Sequence, residues 1–270
     1  MASEVFDAAW LALREPVDHR ARSETLLPPL RRAWQARSWS RILDLGAGTG
    51  SNLRYLAPRL DGDQAWTLVD RDARLLALAA APGVAVARRV TGDLGREGLA
   101  LVRQADLVTA SALLDLVSED WLRRLVNACC AAGAGVLLAM TYDGRIAWAD
   151  AEPDTALIER LVNAHQRRDK GLGPALGPAA APAAEHLLRE AGYHVAVRAS
   201  PWELASSESR LVEALVAGWE RAATGCARDT TEADRVRAWA ASRRRIIDGG
   251  SFTLTVGHLD LLALPPDSRS

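Results

Sequence analysis

From residue 41 onward, short apolar runs alternate with helical patterns, and no other feature of the chain restricts its fold so strongly. Arg41–Leu45 reads as a strand, after which Leu53, Leu56, Ala57 and Leu60 recur at helical spacing as far as Gly62. Residues 66–70 repeat the strand pattern and lead into a helix over 73–81 that Pro82 and Gly83 stop. Residues 84–90, 106–110 and 135–140 continue the series. Between the last two, a helix with Ser118 as N-cap buries Trp121, Leu122, Leu125, Val126 and Cys129. Strands that alternate with helices in this way pair in parallel, so the pattern predicts an α/β fold with a doubly wound, mostly parallel sheet.

The alternation breaks after the fifth strand. Residues 151–182 read as an amphipathic helix with Leu157, Leu161 and Val162, followed by a loop rich in Gly, Pro and Ala. Alternation then resumes with a helix over 183–191 and a strand over 193–197. Helices near 207–223 and 231–247 precede a long last strand over 252–264. The reading is therefore a seven-stranded core over 41–264 with helical inserts at about 145–182 and 203–250 and a polar tail at 265–270. Helices over 4–14 and 23–37 form an N-terminal cap within residues 1–40.

The charge balance narrows the range of partners. Lys and Arg total 33 against 34 Asp and Glu, a net charge of -1 that lacks the basic excess of a nucleic-acid-binding face. No uncharged apolar stretch reaches membrane-spanning length, and the acidic N-terminus has no apolar run behind it, so neither a membrane partner nor a secretory signal is expected. Cys129, Cys130 and Cys226 form no CxxC pair, which speaks against a metal site and a disulfide framework. The expectation is a reduced, cytoplasmic protein acting on a small molecule. Its oligomeric state is left open.

The sharpest motif is 44–50, Asp-Leu-Gly-Ala-Gly-Thr-Gly, between the first strand and its helix. Gly46, Gly48 and Gly50 permit a tight turn and close approach of backbone amides to a ligand. Asp70 closes the second strand, where an acid can accept hydrogen bonds from a ribose, and Asp93 follows the third. Three strand tips thus carry a glycine loop and two acids toward one sheet edge, a nucleoside-binding constellation. A dinucleotide fingerprint, G-x-G-x-x-G, would need its third glycine at Ser51, whereas the loop reads G-x-G-x-G. The stretch 42–93 therefore resembles the class I S-adenosylmethionine-dependent methyltransferases, in outline over 41–144, 183–197 and 252–264.

That resemblance implies a methyltransferase with S-adenosyl-L-methionine as cofactor. Gly46, Gly48 and Gly50 would line its methionine part and Asp44 would order the loop. Asp70 would hold the ribose hydroxyls, Asp93 and Leu94 the adenine, and Ser111 would pass beside the cofactor at the substrate mouth. An N-terminal lid would lay Arg22 over the cofactor carboxylate. The alternatives are a nicotinamide-dependent oxidoreductase on a related fold and a non-catalytic nucleoside-binding or regulatory subunit.

The acceptor side carries weaker signals. Asp115, Tyr142 and His165 lie near the expected mouth as candidate catalytic groups. Arg168 and Lys170, the chain's only lysine, end the first insert helix in a cationic cluster that suits an anionic acceptor. Trp148 and Trp202 fall near the inserts, where they would wall an apolar pocket. The reaction expected is in-line displacement at the sulfonium methyl.

Overall fold

The structure is a computed structural model that describes residues 7–150 and 152–266. Residues 4–6 of the expected first helix, Ala151 at the start of the expected insert helix, and 267–270 of the tail lie outside the described residues. In chain order the elements are α1 (Ala8–Ala21), α2 (Leu27–Ala36), β1 (Arg41–Leu45), α3 (Ser51–Leu56), β2 (Ala65–Asp70), α4 (Ala73–Leu78) and β3 (Val86–Thr91). They continue with α5 (Leu99–Leu101), β4 (Leu107–Ser111), α6 (Glu119–Ala132), β5 (Gly135–Trp148), α7 (Thr155–Gln166) and α8 (Ala180–Glu190). The chain closes with β6 (His194–Ala199), β7 (Trp202–Leu204), α9 (Ser209–Thr224), α10 (Thr230–Asp248) and β8 (Leu254–Leu264).

The strands form one sheet in the order β3-β2-β1-β4-β5-β8-β6, with β7 also paired to β8. Pairing is parallel from β3 through β5 and antiparallel wherever β8 takes part. The order reverses between β1 and β4, which opens a crevice outside the carboxyl ends of these strands. On one face α6 packs through Trp121, Leu122 and Leu125; on the other Leu30, Trp34 and Leu53 cover the sheet. Serine at the N-cap of α6 accepts from the Trp121 amide at 3.3 Å, and Gly133 ends the helix in the left-handed region. Among the described residues no helix is long and apolar enough to cross a membrane, and no group of three His, Cys, Asp or Glu is placed to hold a metal ion.

Four departures from the expected layout have physical causes. The sheet has eight strands instead of seven, because β8 is long enough to pair with β6 through its second half and with the short β7 through its first. The fifth strand does not stop at Met140 but runs on to Trp148, following β8 through register shifts at Leu138/Thr141 and Tyr142/Ile146. Met140 sits in that irregularity with φ 53°, its amide held by the buried carboxylate of Asp260 at 2.8 Å. Finally, α1 runs straight through Pro16 to Ala21 instead of ending at residue 14. The hydrogen bond that proline forfeits is offset by a two-pronged Arg14–Asp18 pair at 2.8 and 3.1 Å and by the Trp202 indole donating to Asp18 at 3.0 Å. Helix α8 likewise starts at Ala180, since Pro182 lies in its first turn, where no backbone donor is required.

Beyond β5 the insert helices α7, α9 and α10 build a second apolar core against the extended halves of β5 and β8. This cap and α1 rise over the crevice from one side.

Candidate functional site

Two adjoining cavities lie at the crevice. The first, about 600 Å³, is lined by the tips of β1 to β4. Gly46 and Ala47 donate to the Val69 carbonyl at 2.9 and 3.1 Å, so the loop after β1 folds back over β2. Gly48, at φ 52°, donates to Asp70 Oδ2 at 2.8 Å; an added Cβ there would meet Leu11 of α1 at 3.2 Å. Gly50 does not line the cavity. It is the N-cap of α3 at φ 83°, where a Cβ would press on Ala79 at 3.1 Å, so its role is the turn itself.

Asp44 faces this cavity from the buried end of β1. The Asn52 amide donates to its Oδ1 at 2.8 Å, while Oδ2 is buried with no hydrogen-bond partner among the described residues. Burial, partly opposed by the Asn52 hydrogen bond and Arg22, pushes its carboxyl up to about 7. Asp70 accepts the amides of Gly48 and Asp72 at 2.8 and 2.9 Å, one on each oxygen. Asp93 caps the turn after β3, accepting from Gly95 at 2.8 Å, and it lines the cavity with Leu94 and Ser111.

The second cavity, about 970 Å³, lies beneath α1 and between β5, β8, α7 and α9. Its walls include Trp10, Met140, Tyr142, Trp202, Leu215 and Trp219. Arg14, Ala112 and Leu116 line both cavities and form the ridge between them. Ala112 and Met140 hold positive φ angles of 52° and 53°, an uncommon backbone state for residues with a Cβ that recurs at ligand clamps. Asp115, Tyr142 and His165 all open onto this cavity. Tyr142 is buried, its hydroxyl has no partner among the described residues, and burial raises the phenol well above its usual value.

Besides Gly50, four expected site residues are placed otherwise than expected. Arg22 lies outside both cavities, stacked 4.3 Å from the Tyr55 ring, donating to Asn52 Oδ1 at 2.8 Å and 3.6 Å from Asp260. It pins the amide that in turn holds Asp44. Trp148 belongs to the cap core, 6.5 Å from Trp239 and 6.0 Å from Phe252 with Arg243 over its ring. Arg168 is exposed and donates to the Gly225 carbonyl at 2.6 Å. Lys170 lines the first cavity and not the second, with Nζ 3.5 Å from His165 Nδ1. Only Trp202, of the four residues expected to bind the acceptor, walls the second cavity.

Sequence reasoning missed Arg14 and His258. Arg14 reaches the ridge because α1 continues past Pro16, and its guanidinium lies 5.0 Å above the Trp202 ring. His258 is paired with Tyr142 in the antiparallel register of β8 and β5, a relation that no spacing in the chain announces.

Comparison with known proteins agrees with this geometry. Residues 42–133 match a family model described as a methyltransferase domain. Among solved structures, a cyclopropane-fatty-acyl-phospholipid synthase-like protein from Lactobacillus casei is 16% identical, with 98% of this chain and 96% of the other covered and a TM-score of 0.54. An S-adenosylmethionine-dependent methyltransferase from Geobacter sulfurreducens, solved with S-adenosyl-L-homocysteine, is 16% identical over 96% of this chain and 99% of the other, with a TM-score of 0.44. A search of curated proteins returns no match. The methyltransferase-domain match favours neither an oxidoreductase nor a non-catalytic subunit.

Proposed function

We propose that this chain acts as a class I S-adenosylmethionine-dependent methyltransferase, a reading that the match of residues 42–133 to a methyltransferase-domain model supports, and that its second cavity presents a small-molecule acceptor to a cofactor seated in the first. The observation that carries this reading is the shared ridge of Arg14, Ala112 and Leu116: ligands seated on either side of it meet there. S-adenosylmethionine supplies, when bound, a methyl group that its sulfonium makes electrophilic, so the protein's task is to aim and hold the acceptor.

The first cavity suits the cofactor group by group. The unpartnered Oδ2 of Asp44 lacks a donor, and the ammonium of the methionine arm provides one. Each oxygen of Asp70 keeps a lone pair beyond the amide it already accepts, enough for two ribose hydroxyls. Asp93 and Leu94 take the adenine edge and face, while Gly46, Gly48 and Ser111 shape the floor. Arg14 takes the role expected of Arg22, facing the cofactor carboxylate from α1, and Lys170 acts on the cofactor side of the ridge.

The second cavity supports a flat acceptor with an aromatic face, because Trp10, Tyr142, Trp202 and Trp219 wall it; Arg14, Arg210 and Arg221 also line it, while Lys170 and Arg168 stay outside. Tyr142 keeps its proton at neutral pH. Asp115 and His165 are the groups assigned to receive a proton from the acceptor. Transfer of labelled methyl from the cofactor to panels of neutral aromatic acceptors and of small anions tests the reading. Turnover concentrated in the aromatic panel is expected; turnover confined to anions, or to bulk tRNA or DNA, would refute it.

A further inference from the structure

Two polar groups of the second cavity's lining stand side by side on neighbouring strands. Tyr142 of β5 pairs with His258 of β8, their rings 6.2 Å apart edge to face, and both side chains line the cavity. His258 Nδ1 lies 3.0 Å from the Val256 carbonyl. A carbonyl only accepts, so Nδ1 carries the proton and Nε2 presents a bare lone pair, with no protein partner among the described residues. The Tyr142 hydroxyl is buried and likewise unpartnered. A buried hydroxyl left without a partner costs free energy, which a bound ligand can recover.

We propose that Tyr142 Oη and His258 Nε2 form a two-point polar clasp that binds the hydroxyl or primary amide of a neutral, flat aromatic acceptor. Tyr142 donates to the ligand oxygen and His258 accepts the ligand hydrogen. This rests on the assignment of the second cavity to the acceptor. A neutral ligand fits because both members are uncharged at neutral pH: burial and the nearby Arg14 charge hold His258 down at about 3, while burial keeps the Tyr142 phenol protonated. Trp202 stacks against the His258 ring at 4.8 Å and fixes its orientation.

The clasp makes these two side chains determinants of acceptor selectivity. Its test compares 2-naphthol with 2-methylnaphthalene, near-isosteres that differ in the hydroxyl alone, by equilibrium dialysis against the protein saturated with S-adenosylhomocysteine. The native protein is expected to prefer 2-naphthol by about tenfold or more, and Tyr142→Phe and His258→Phe each to reduce the preference about three- to tenfold. Affinity for S-adenosylhomocysteine, measured by calorimetry, stays unchanged in both variants. Tyr142→Phe removes only an unpartnered hydroxyl, so it remains a folded test if His258→Phe fails to fold. Equal binding of the two compounds to the native protein, or a preference that survives in Tyr142→Phe, overturns the clasp while leaving the cavity assignment standing. Binding of neither compound overturns both.

Discussion

Replacement of Asp44 by Asn isolates the electrostatic cost built into the cofactor cavity. A carboxyl raised from 3.8 to about 7 in the folded chain ionises at a cost of about 4 kcal/mol relative to the unfolded chain. Because the folded value lies above the unfolded one, Asp44 destabilises nothing below about pH 4, and its contribution is lost progressively as the pH rises to about 7. Above that point the ligand-free protein carries a buried anion whose Oδ2 has no partner. Asp44→Asn keeps an oxygen to accept from Asn52 and cannot ionise. In urea unfolding of the ligand-free protein, the stability of Asp44→Asn relative to wild type is therefore expected to improve by about 2–3 kcal/mol between about pH 5 and pH 8. A difference that stays flat over that range would refute the assignment of a costly buried charge to Asp44. The same carboxylate is the proposed partner of the cofactor ammonium, so affinity for S-adenosylhomocysteine should rise with pH in wild type and lose that dependence in the variant.

Asp70→Ala removes the proposed acceptor for both ribose hydroxyls, and calorimetry should show cofactor affinity at least about tenfold lower in a folded protein. The two N-terminal arginines separate by readout. Arg14→Ala should weaken both cofactor and acceptor and, by removing the partner of Asp18, also lower the melting temperature, whereas Arg22→Ala takes the donor from Asn52 Oδ1 and a charge partner from buried Asp260 and should cost about 3–5 kcal/mol of stability in chemical denaturation while leaving acceptor affinity unchanged. Trp148→Ala, which empties part of the cap core, should cost about 3–5 kcal/mol, and an equal-stability variant would contradict the packing of Trp148 against Trp239 and Phe252.

The lining of the first cavity is largely readable from the chain because its parts are local. Asp44, Gly46 and Gly48 sit on one loop, and Asp70 and Asp93 follow the next two strands, so parallel pairing alone carries them to one edge. The second cavity is assembled from contacts far apart in sequence. Tyr142 faces His258 only after β5 passes two irregularities in its pairing with β8, and periodicity does not encode them. Arg14 and Arg22 occupy the same capping segment, and which of them reaches the crevice depends on a helix that tertiary contacts carry through Pro16. Trp148 and Arg168 illustrate the converse. Proximity to an insert says nothing about which side of it a residue faces, and both turn into the cap and its surface rather than the crevice.

The account stands on two ligands meeting at the ridge of Arg14, Ala112 and Leu116. A crystal structure with S-adenosylhomocysteine measures this directly. The ribose is predicted to lie on Asp70, with the sulfur at Ala112 and Leu116 and its vacant methyl position open toward Tyr142 and His258. A sulfur directed away from the second cavity, with the nucleoside held by other residues, would contradict it.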